Sequence, residues 1–168
     1  PIPPMKLLLL LLAAVLPLAA AGKPDAIVAA DGSARFKTVQ EAVNASPRDS
    51  YSNRRWTILV KPGTYNEVVY IQREKRFLKL IGEDAEKTVI THNLHANLPG
   101  PDGKPIGTFR TPTVQIDADH IAFENITFEN SAGPVGQALA VRVDGDRVSF
   151  RKCRFLGFQD TVLCNRGR

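Results

Sequence analysis

Residues 113–128 read TVQIDADHIAFENITF, and residues 140–155 return to the same pattern as AVRVDGDRVSFRKCRF. The offset is 27 residues throughout, from 113 to 140 and from 128 to 155. Valine, two aspartates and two phenylalanines recur identically, and apolar positions alternate with polar ones, as is typical of short β-strands. A unit of short strands at a fixed period is the sequence signature of a parallel β-helix. A β-sandwich also has alternating strands but requires no fixed offset, so the repeat favours the solenoid.

The repeat also assigns an environment to the side chains that have chemistry. Cys153 takes the position of Ile126, which points inward, so it is predicted to be buried and free rather than in a disulfide with Cys164. Asp117 and Asp119 recur as Asp144 and Asp146 and are interpreted as turn residues between strands. A Ca²⁺ site built from the four stacked carboxylates stays open as an alternative.

One short helix is predicted ahead of the strands. Thr38 and Glu41 fit a capping box at its start, and Pro47 closes it soon after Ala45. Apolar residues bounded by glycine and proline predict strands elsewhere; these are residues 27–29, 56–60, 67–71 and 77–81. The fold class is therefore all-β, a parallel β-helix solenoid with one short N-terminal capping helix.

The N-terminal residues indicate a targeting signal rather than part of the fold. Residues 5–21 carry one positive charge, a short apolar run and an A-x-A site, which together predict a secretory signal peptide cut after Ala21. The run is too short to span a bilayer, so no membrane association is expected after cleavage. Residues 1–4 precede the only Met and are interpreted as an upstream artefact. The protein is thus expected to be secreted or periplasmic.

Length and composition limit the function classes. The 168 residues predict one domain or part of a larger one, and 43% hydrophobic residues are ordinary for a globular protein. The formal charge of +5 is spread along the chain, with no basic stripe interleaved with aromatic residues, so nucleic-acid binding is not expected. A mildly basic surface suits a polyanionic substrate equally well, and charge alone does not choose. The protein is expected to be a monomer.

Two glutamines and an aspartate form the candidate site. The loop of residues 131–136 changes the repeat offset from 27 to 22, which sets Gln137 beside Gln159 on adjacent coils. Asp160 follows directly, and a bend is needed for both Gln159 and Asp160 to project outward. Amides can donate hydrogen bonds to an oxyanion, and a carboxylate can give or take a proton. Two explanations without a function remain open: a local turn at Gln159 and Asp160, and a structural ladder of stacked glutamines at Gln137.

A long loop adds to this candidate site. Residues 93–108 are rich in proline, glycine, asparagine and aspartate. A loop of this length inside a compact domain is usually functional. We therefore expect residues 93–108 to form one wall of a binding cleft.

Three motifs resemble those of the pectin methylesterase family. They are GTYNE at residues 63–67, QALA at 137–140 and GFQDT at 157–161. The resemblance runs from about Asp25 to Arg168 and implies a right-handed parallel β-helix that hydrolyses methyl esters of polygalacturonate without a cofactor or metal. By the same resemblance, Gln159 stabilises the transition state, Asp160 is the proton donor and acceptor, and Thr108 and Gln137 bind the substrate.

One departure from this family concerns the nucleophile. In the family, the attacking aspartate lies in a motif similar to D-F-I-F-G, and an arginine follows it. The positions that would match both lie after Arg168, the last residue given. Residues 22–168 are therefore expected to be a partial catalytic domain, truncated at its C-terminus and inactive alone. Two alternatives are a pectate-lyase-like β-helix, which needs a Ca²⁺ cluster and a base, and a solenoid that binds polygalacturonate without catalysis.

Overall fold

The structure, a computed structural model, describes residues 23–48 and 54–166. The predicted signal peptide, residues 5–21, and residues 1–4 lie outside the described residues. Within that part, the chain forms one α-helix, α1 (Val39–Ala45), and one short 3-10 helix at Thr108–Arg110. The strands are β1 (Ala26–Val28), β2 (Trp56–Val60), β3 (Gly63–Asn66), β4 (Val69–Ile71), β5 (Leu78–Gly82), β6 (Thr88–His92), β7 (Val114–Ile116), β8 (Ala122–Glu124), β9 (Thr127–Asn130), β10 (Val141–Val143), β11 (Ser149–Arg151), β12 (Arg154–Leu156) and β13 (Val162–Cys164).

The strands form three parallel sheets; β1 belongs to sheet 1 alone, and each of the four described coils after it contributes one strand to each sheet. Sheet 1 has the order β1-β2-β5-β8-β11, sheet 2 has β3-β6-β9-β12, and sheet 3 has β4-β7-β10-β13. The strand register reproduces the offset of 27, since Val114 pairs with Val141, Ala122 with Ser149 and Thr127 with Arg154. The predicted parallel β-helix is confirmed.

The core consists of side-chain columns that run through successive coils. Phe123 stacks on Phe150 with ring centroids 5.1 Å apart, and Phe128 stacks on Phe155 at 5.6 Å. Phe123 and Phe128 also meet edge to face at 5.2 Å. These are the two phenylalanines that recur in the sequence repeat. Aromatic pairs of this kind stabilise by about 0.5–1.5 kcal/mol beyond the area that they bury.

Helix α1 covers the first coil, as predicted. The Thr38 side chain accepts from the amide of Glu41, and the Glu41 carboxylate accepts from the amide of Thr38, so both halves of the capping box are present. The face that packs on the core carries three buried residues, Val39, Ala42 and Val43. The helix is too short to be stable alone, and this apolar contact keeps it folded.

Two charged residues of the first coil hold α1 at opposite ends. The Glu67 carboxylate accepts from the amides of Val39 at 2.8 Å and Gln40 at 2.9 Å. Burial raises the pKa of Glu67, against the lowering effect of those two amides. At the other end, Lys75 Nζ donates to the carbonyls of Asn44 at 2.8 Å and Ser46 at 2.5 Å. Each charge has the sign that the adjacent helix end favours.

Replacing Lys75 by methionine is expected to lower the free energy of unfolding by about 1–3 kcal/mol, because the two carbonyls lose a charged donor. Lys75 is 6% exposed, so water does not readily replace the ammonium group, and methionine keeps the apolar stem. Urea unfolding of the full-length protein measures the loss. The control is Lys104→Met in an exposed loop. Equal effects of the two substitutions would contradict a clamping role for Lys75.

Three details differ from the sequence-based expectations. Cys153 is free, as predicted, but it is only half-buried, whereas Ile126 at the matching position is fully buried. The reason is that β11–β13 have no described coil packed on their outer side. Strands β3 and β6 were not predicted, and only residues 69–71 of the strand predicted at 67–71 form a strand, which is β4. Within the described part of the chain, no helix has the length and apolarity needed to span a bilayer.

Candidate active site

All four predicted site residues lie where the chain enters sheet 3. Thr108 precedes β7, Gln137 precedes β10, and Gln159 and Asp160 precede β13. Because β7, β10 and β13 are neighbours in one parallel sheet, the segments before them belong to three adjacent coils, with Thr108 in the 3-10 helix ahead of β7. The site is thus carried by one end of one sheet.

The two glutamines are neighbours across two coils. The amide of Ala138 donates to the carbonyl of Gln159 at 3.1 Å, which in a parallel ladder sets Gln137 opposite Gln159. The predicted offset of 22 therefore holds at this point. It falls to 21 within the strands, where Val141 pairs with Val162.

A bulge directly after the glutamines absorbs this change in register. The amides of Ala140 and Val141 both donate to the carbonyl of Thr161, at 2.9 and 3.1 Å. Two residues of one coil thus face one residue of the next, which bends the bulged segment. Bulges commonly re-aim side chains beside functional sites, and this one lies between the glutamine pair and sheet 3.

The backbone bends at Asp160, as predicted. Asp160 has φ 58°, in the left-handed region, and lies between the end of β12 and the start of β13. Gln159 and Asp160 are both exposed, and Gln137 is half-buried. Aspartate is one of the few residue types that enter this region readily. The turn therefore lets consecutive polar side chains reach solvent at the start of a strand.

The loop of residues 93–108 contacts Gln137 directly. The amide of Ala96 donates to the carbonyl of Gln137 at 2.8 Å, and Gly107 donates to the carbonyl of Ala96 at 3.0 Å. The side chain of Asn97 donates to the carbonyl of Val135 at 2.9 Å, which joins this loop to the loop of residues 131–136. The two loops thus form a continuous wall beside Gln137, and a role of residues 93–108 in lining a binding cleft stays a prediction.

Arg142 fixes an aromatic side chain at the same end of the sheet. Its guanidinium group lies 5.0 Å from the ring centroid of Phe109 and donates to the Phe109 carbonyl at 3.0 Å. Phe109 follows Thr108 in the 3-10 helix and is 54% exposed. An exposed aromatic ring held by a cation therefore stands beside Thr108.

A charged pocket lies around the C-terminal ends of the sheet 3 strands, and the Arg142 side chain, which also contacts Phe109, is part of its lining. Its volume is about 360 Å³, and it is lined by Arg73, Asp117, Asp119, Arg142, Asp144 and Arg166.

The carboxylates of this pocket have protein partners. Asp117 accepts from the Tyr70 hydroxyl at 2.7 Å and from Gln115 Nε2 at 3.0 Å. The Arg142 guanidinium pairs with Asp144 at 2.6 Å. Burial raises the pKa of Asp144, but hydrogen bonds from Asn165 and Arg142 outweigh it and lower the pKa overall.

Three of the recurring aspartates, Asp117, Asp119 and Asp144, therefore act as hydrogen-bond acceptors in the turns. Asp119 also does so, accepting from the amide of Asp146 at 2.8 Å. Among the residues that the structure describes, no group of three or more His, Cys, Asp and Glu side chains is arranged to hold a metal ion.

Two buried polar residues next to the site were missed by the sequence analysis. Asn130 is 2% exposed and Thr111 is fully buried, and both bond to the segment before β10. The signal for Asn130 was present: two residues after the inward Phe128, strand alternation also points Asn130 inward. A polar residue at such a position must have hydrogen-bond partners. Thr111 lies outside the repeat, and no sequence signal marks it.

Comparison with known proteins gives a consistent result. A sequence model of the pectinesterase family matches residues 25–168. Pectinesterase 5 of Arabidopsis thaliana is 44% identical over 144 residues, which cover 84% of this chain and 23% of that protein. Pectinesterase 4 of the same plant is 41% identical over 143 residues, with 84% and 23% covered. The chain thus spans about a quarter of the length of these relatives.

Solved structures show the same likeness. Pectin methylesterase from carrot superimposes with a TM-score of 0.77 at 36% identity, covering 86% of this chain and 43% of that one. The Erwinia chrysanthemi pectin methylesterase PemA gives 0.72 at 29% identity, covering 85% and 46%. The fold is the right-handed parallel β-helix of these enzymes. The chain belongs to the pectinesterase family.

Proposed function

We propose that the full-length protein hydrolyses methyl esters of polygalacturonate and releases methanol, and that this chain supplies its oxyanion donors and its proton-transfer group. The observation that carries the proposal is the bond from Ala138 to the carbonyl of Gln159, which stacks Gln137 on Gln159 beside the exposed turn at Asp160. Family membership and the solved relatives support the reaction class.

Each group has a role that its chemistry allows. The Gln159 amide donates to the ester oxygen as negative charge develops on it, and the neighbouring Gln137 amide supports this and binds the substrate with Thr108. Asp160 first protonates the leaving methoxide and then takes a proton from the water that hydrolyses the acyl intermediate. It lies at the start of β13 directly after Gln159, so both side chains can meet one bound ester.

The resemblance to the pectin methylesterase family implies that a second carboxylate attacks the ester, which leaves Asp160 to hold the proton for methoxide. Within the described residues, β13 pairs with β10 on one side only. In the full-length protein we propose that the nucleophilic aspartate comes from a strand on the free side of β13, one coil after Asp160. The methyl ester of a galacturonate residue bound over the glutamines then lies between the two carboxylates.

The substrate class follows from charge and from the relatives. Structures of a related pectin methylesterase have been solved with bound hexasaccharides. The formal charge of +5 suits a polymer that becomes an anion as its esters are removed. Pectin lies outside the cell, so we also propose that the protein is exported by the signal peptide predicted in residues 5–21.

The test is the product formed from highly methylated polygalacturonate by the full-length protein. We expect methanol to appear together with an equal amount of titratable carboxylate, and no ultraviolet-absorbing unsaturated sugar. Unsaturated product without methanol would replace this proposal by the pectate-lyase alternative. Saturable binding with neither product would replace it by the non-catalytic alternative.

A further inference from the structure

We propose that Thr111 and Asn130 are positioning residues that hold Gln137 and Thr108 in register across two coils. This inference rests on the proposed function, since it assigns a role in the same ester hydrolysis. Neither side chain can touch a substrate, because Thr111 is fully buried and Asn130 is 2% exposed. They act through the main chain that carries the site.

The chain needs support where it returns to the solenoid after the loop of residues 131–136. Strand β10 begins at Val141, so Leu139 precedes the regular ladder and is nevertheless fully buried. Its amide donates to Thr111 Oγ1 at 3.0 Å. Its carbonyl accepts from the amide of Thr113 at 3.0 Å and from Asn130 Nδ2 at 3.1 Å. Two side chains thus help to fix the main chain two residues after Gln137.

The Thr111 hydroxyl connects the two predicted substrate-binding segments. While its oxygen accepts from Leu139, its hydrogen is donated to the carbonyl of Thr108 at 2.8 Å. Thr108 belongs to the coil that ends in β7, and Leu139 to the coil that ends in β10. One hydroxyl group therefore links the segments that carry Thr108 and Gln137.

Asn130 extends the same network to both loops of the wall. Its Nδ2 donates to the carbonyl of Leu94 at 2.8 Å, at the start of the loop of residues 93–108. Its Oδ1 accepts from the amide of Ala132 at 3.0 Å, at the start of the other loop. Both ends of its amide group are hydrogen-bonded inside the protein, so Asn130 ties the two loops to the segment before β10.

Positioning of this kind has a large kinetic effect, because a displacement of about 1 Å at a reacting group can cost up to about 10²-fold in rate. Gln137 has its carbonyl bonded to Ala96 and its following residues bonded to Gln159 and Thr111. Loss of the Thr111 hydroxyl removes one of these anchors and leaves the buried amide of Leu139 without a partner.

The decisive variant is Thr111→Val in the full-length protein, which keeps the shape and removes the hydroxyl. We expect kcat/KM for methanol release to fall about 10-fold, mainly through kcat. The matched control is Thr127→Val: Thr127 is also fully buried and has one hydroxyl bond, of 2.5 Å to the carbonyl of Ala85, between β5 and β6. That variant should lose stability with unchanged kinetics.

A second pair of variants covers the case in which Thr111→Val does not fold. Thr111→Ser keeps the hydroxyl, and Thr111→Cys replaces it by a thiol, a weak hydrogen-bonding group. Serine should retain a kcat near that of threonine, and cysteine should lower it. Equal kcat values for the two variants would overturn the proposal.

Two further measurements separate positioning from a general structural role. In a Gln137→Ala background, the Thr111→Cys substitution should have little further effect on kcat, because the residue through which it acts is gone. Independently of activity, the amide proton of Leu139 should exchange faster in Thr111→Cys than in Thr111→Ser. If the unaltered protein releases no methanol, the proposed function fails and the exchange result alone decides this inference. Equal exchange in the two variants overturns it.

Discussion

In the full-length protein, Asp160→Asn is expected to lower kcat for methanol release by roughly 10²- to 10⁴-fold, because asparagine can neither give nor take the proton. Asparagine enters the left-handed region as readily as aspartate, so the turn at φ 58° should persist and the loss should report on chemistry. Initial rates of methanol release at saturating substrate measure kcat.

The control is Asp117→Asn, at the opposite end of the same sheet, where the carboxylate accepts from Tyr70 and Gln115. It should change kcat little. Were Asp160→Asn to keep the kcat of the unaltered protein while Asp117→Asn lost it, the reaction would belong to the charged pocket and the roles proposed for the glutamines would fall.

Gly145→Ala is expected to lower the free energy of unfolding by about 3 kcal/mol or more, at the upper end of overpacking effects. A Cβ atom at residue 145 would lie 2.0 Å from the carbonyl oxygen of Ala118 on the preceding coil. The obstacle is backbone, which cannot rotate away, so the coils must separate locally. Urea unfolding gives the free energy.

Gly100→Ala serves as the comparison, because its new methyl would meet nothing closer than 3.2 Å in a loop. It should cost much less than Gly145→Ala. Similar losses for both would mean that the turn after β10 can shift, and that the contact between Gly145 and Ala118 does not limit the stacking of the coils.

The fold was largely predictable because each coil of a solenoid has a similar length, so that its sequence repeats at a fixed period. The offset of 27 became the strand register, and Thr38 with Glu41 marked the start of α1. Sequence could not reveal where one-residue adjustments fall. The change from 22 to 21 depends on the amides of Ala140 and Val141 sharing one carbonyl, which no residue type announces.

The candidate site was predictable in its exposed part and not in its support. Gln159 and Asp160 are adjacent in the chain, and the loop length set Gln137 beside them. Thr111, by contrast, reaches its partner Leu139 across 28 residues, a distance that no local pattern spans. Buried hydrogen bonds depend on which main-chain groups the packing leaves unpaired, and that is known only once the coils are placed.

The hydrogen bonds from Glu67 and Lys75 to the two ends of α1 also bear on the order in which the protein can fold during its synthesis. Glu67 and Lys75 both belong to the first coil, so the charged side chains that bond to the two ends of α1 precede β5 in the chain. Domains fold as units from the N-terminal side during synthesis. The first coil, capped by α1, can thus fold before the later coils are added. The segments that carry Gln137 and Asp160 would then pack onto coils that are already folded.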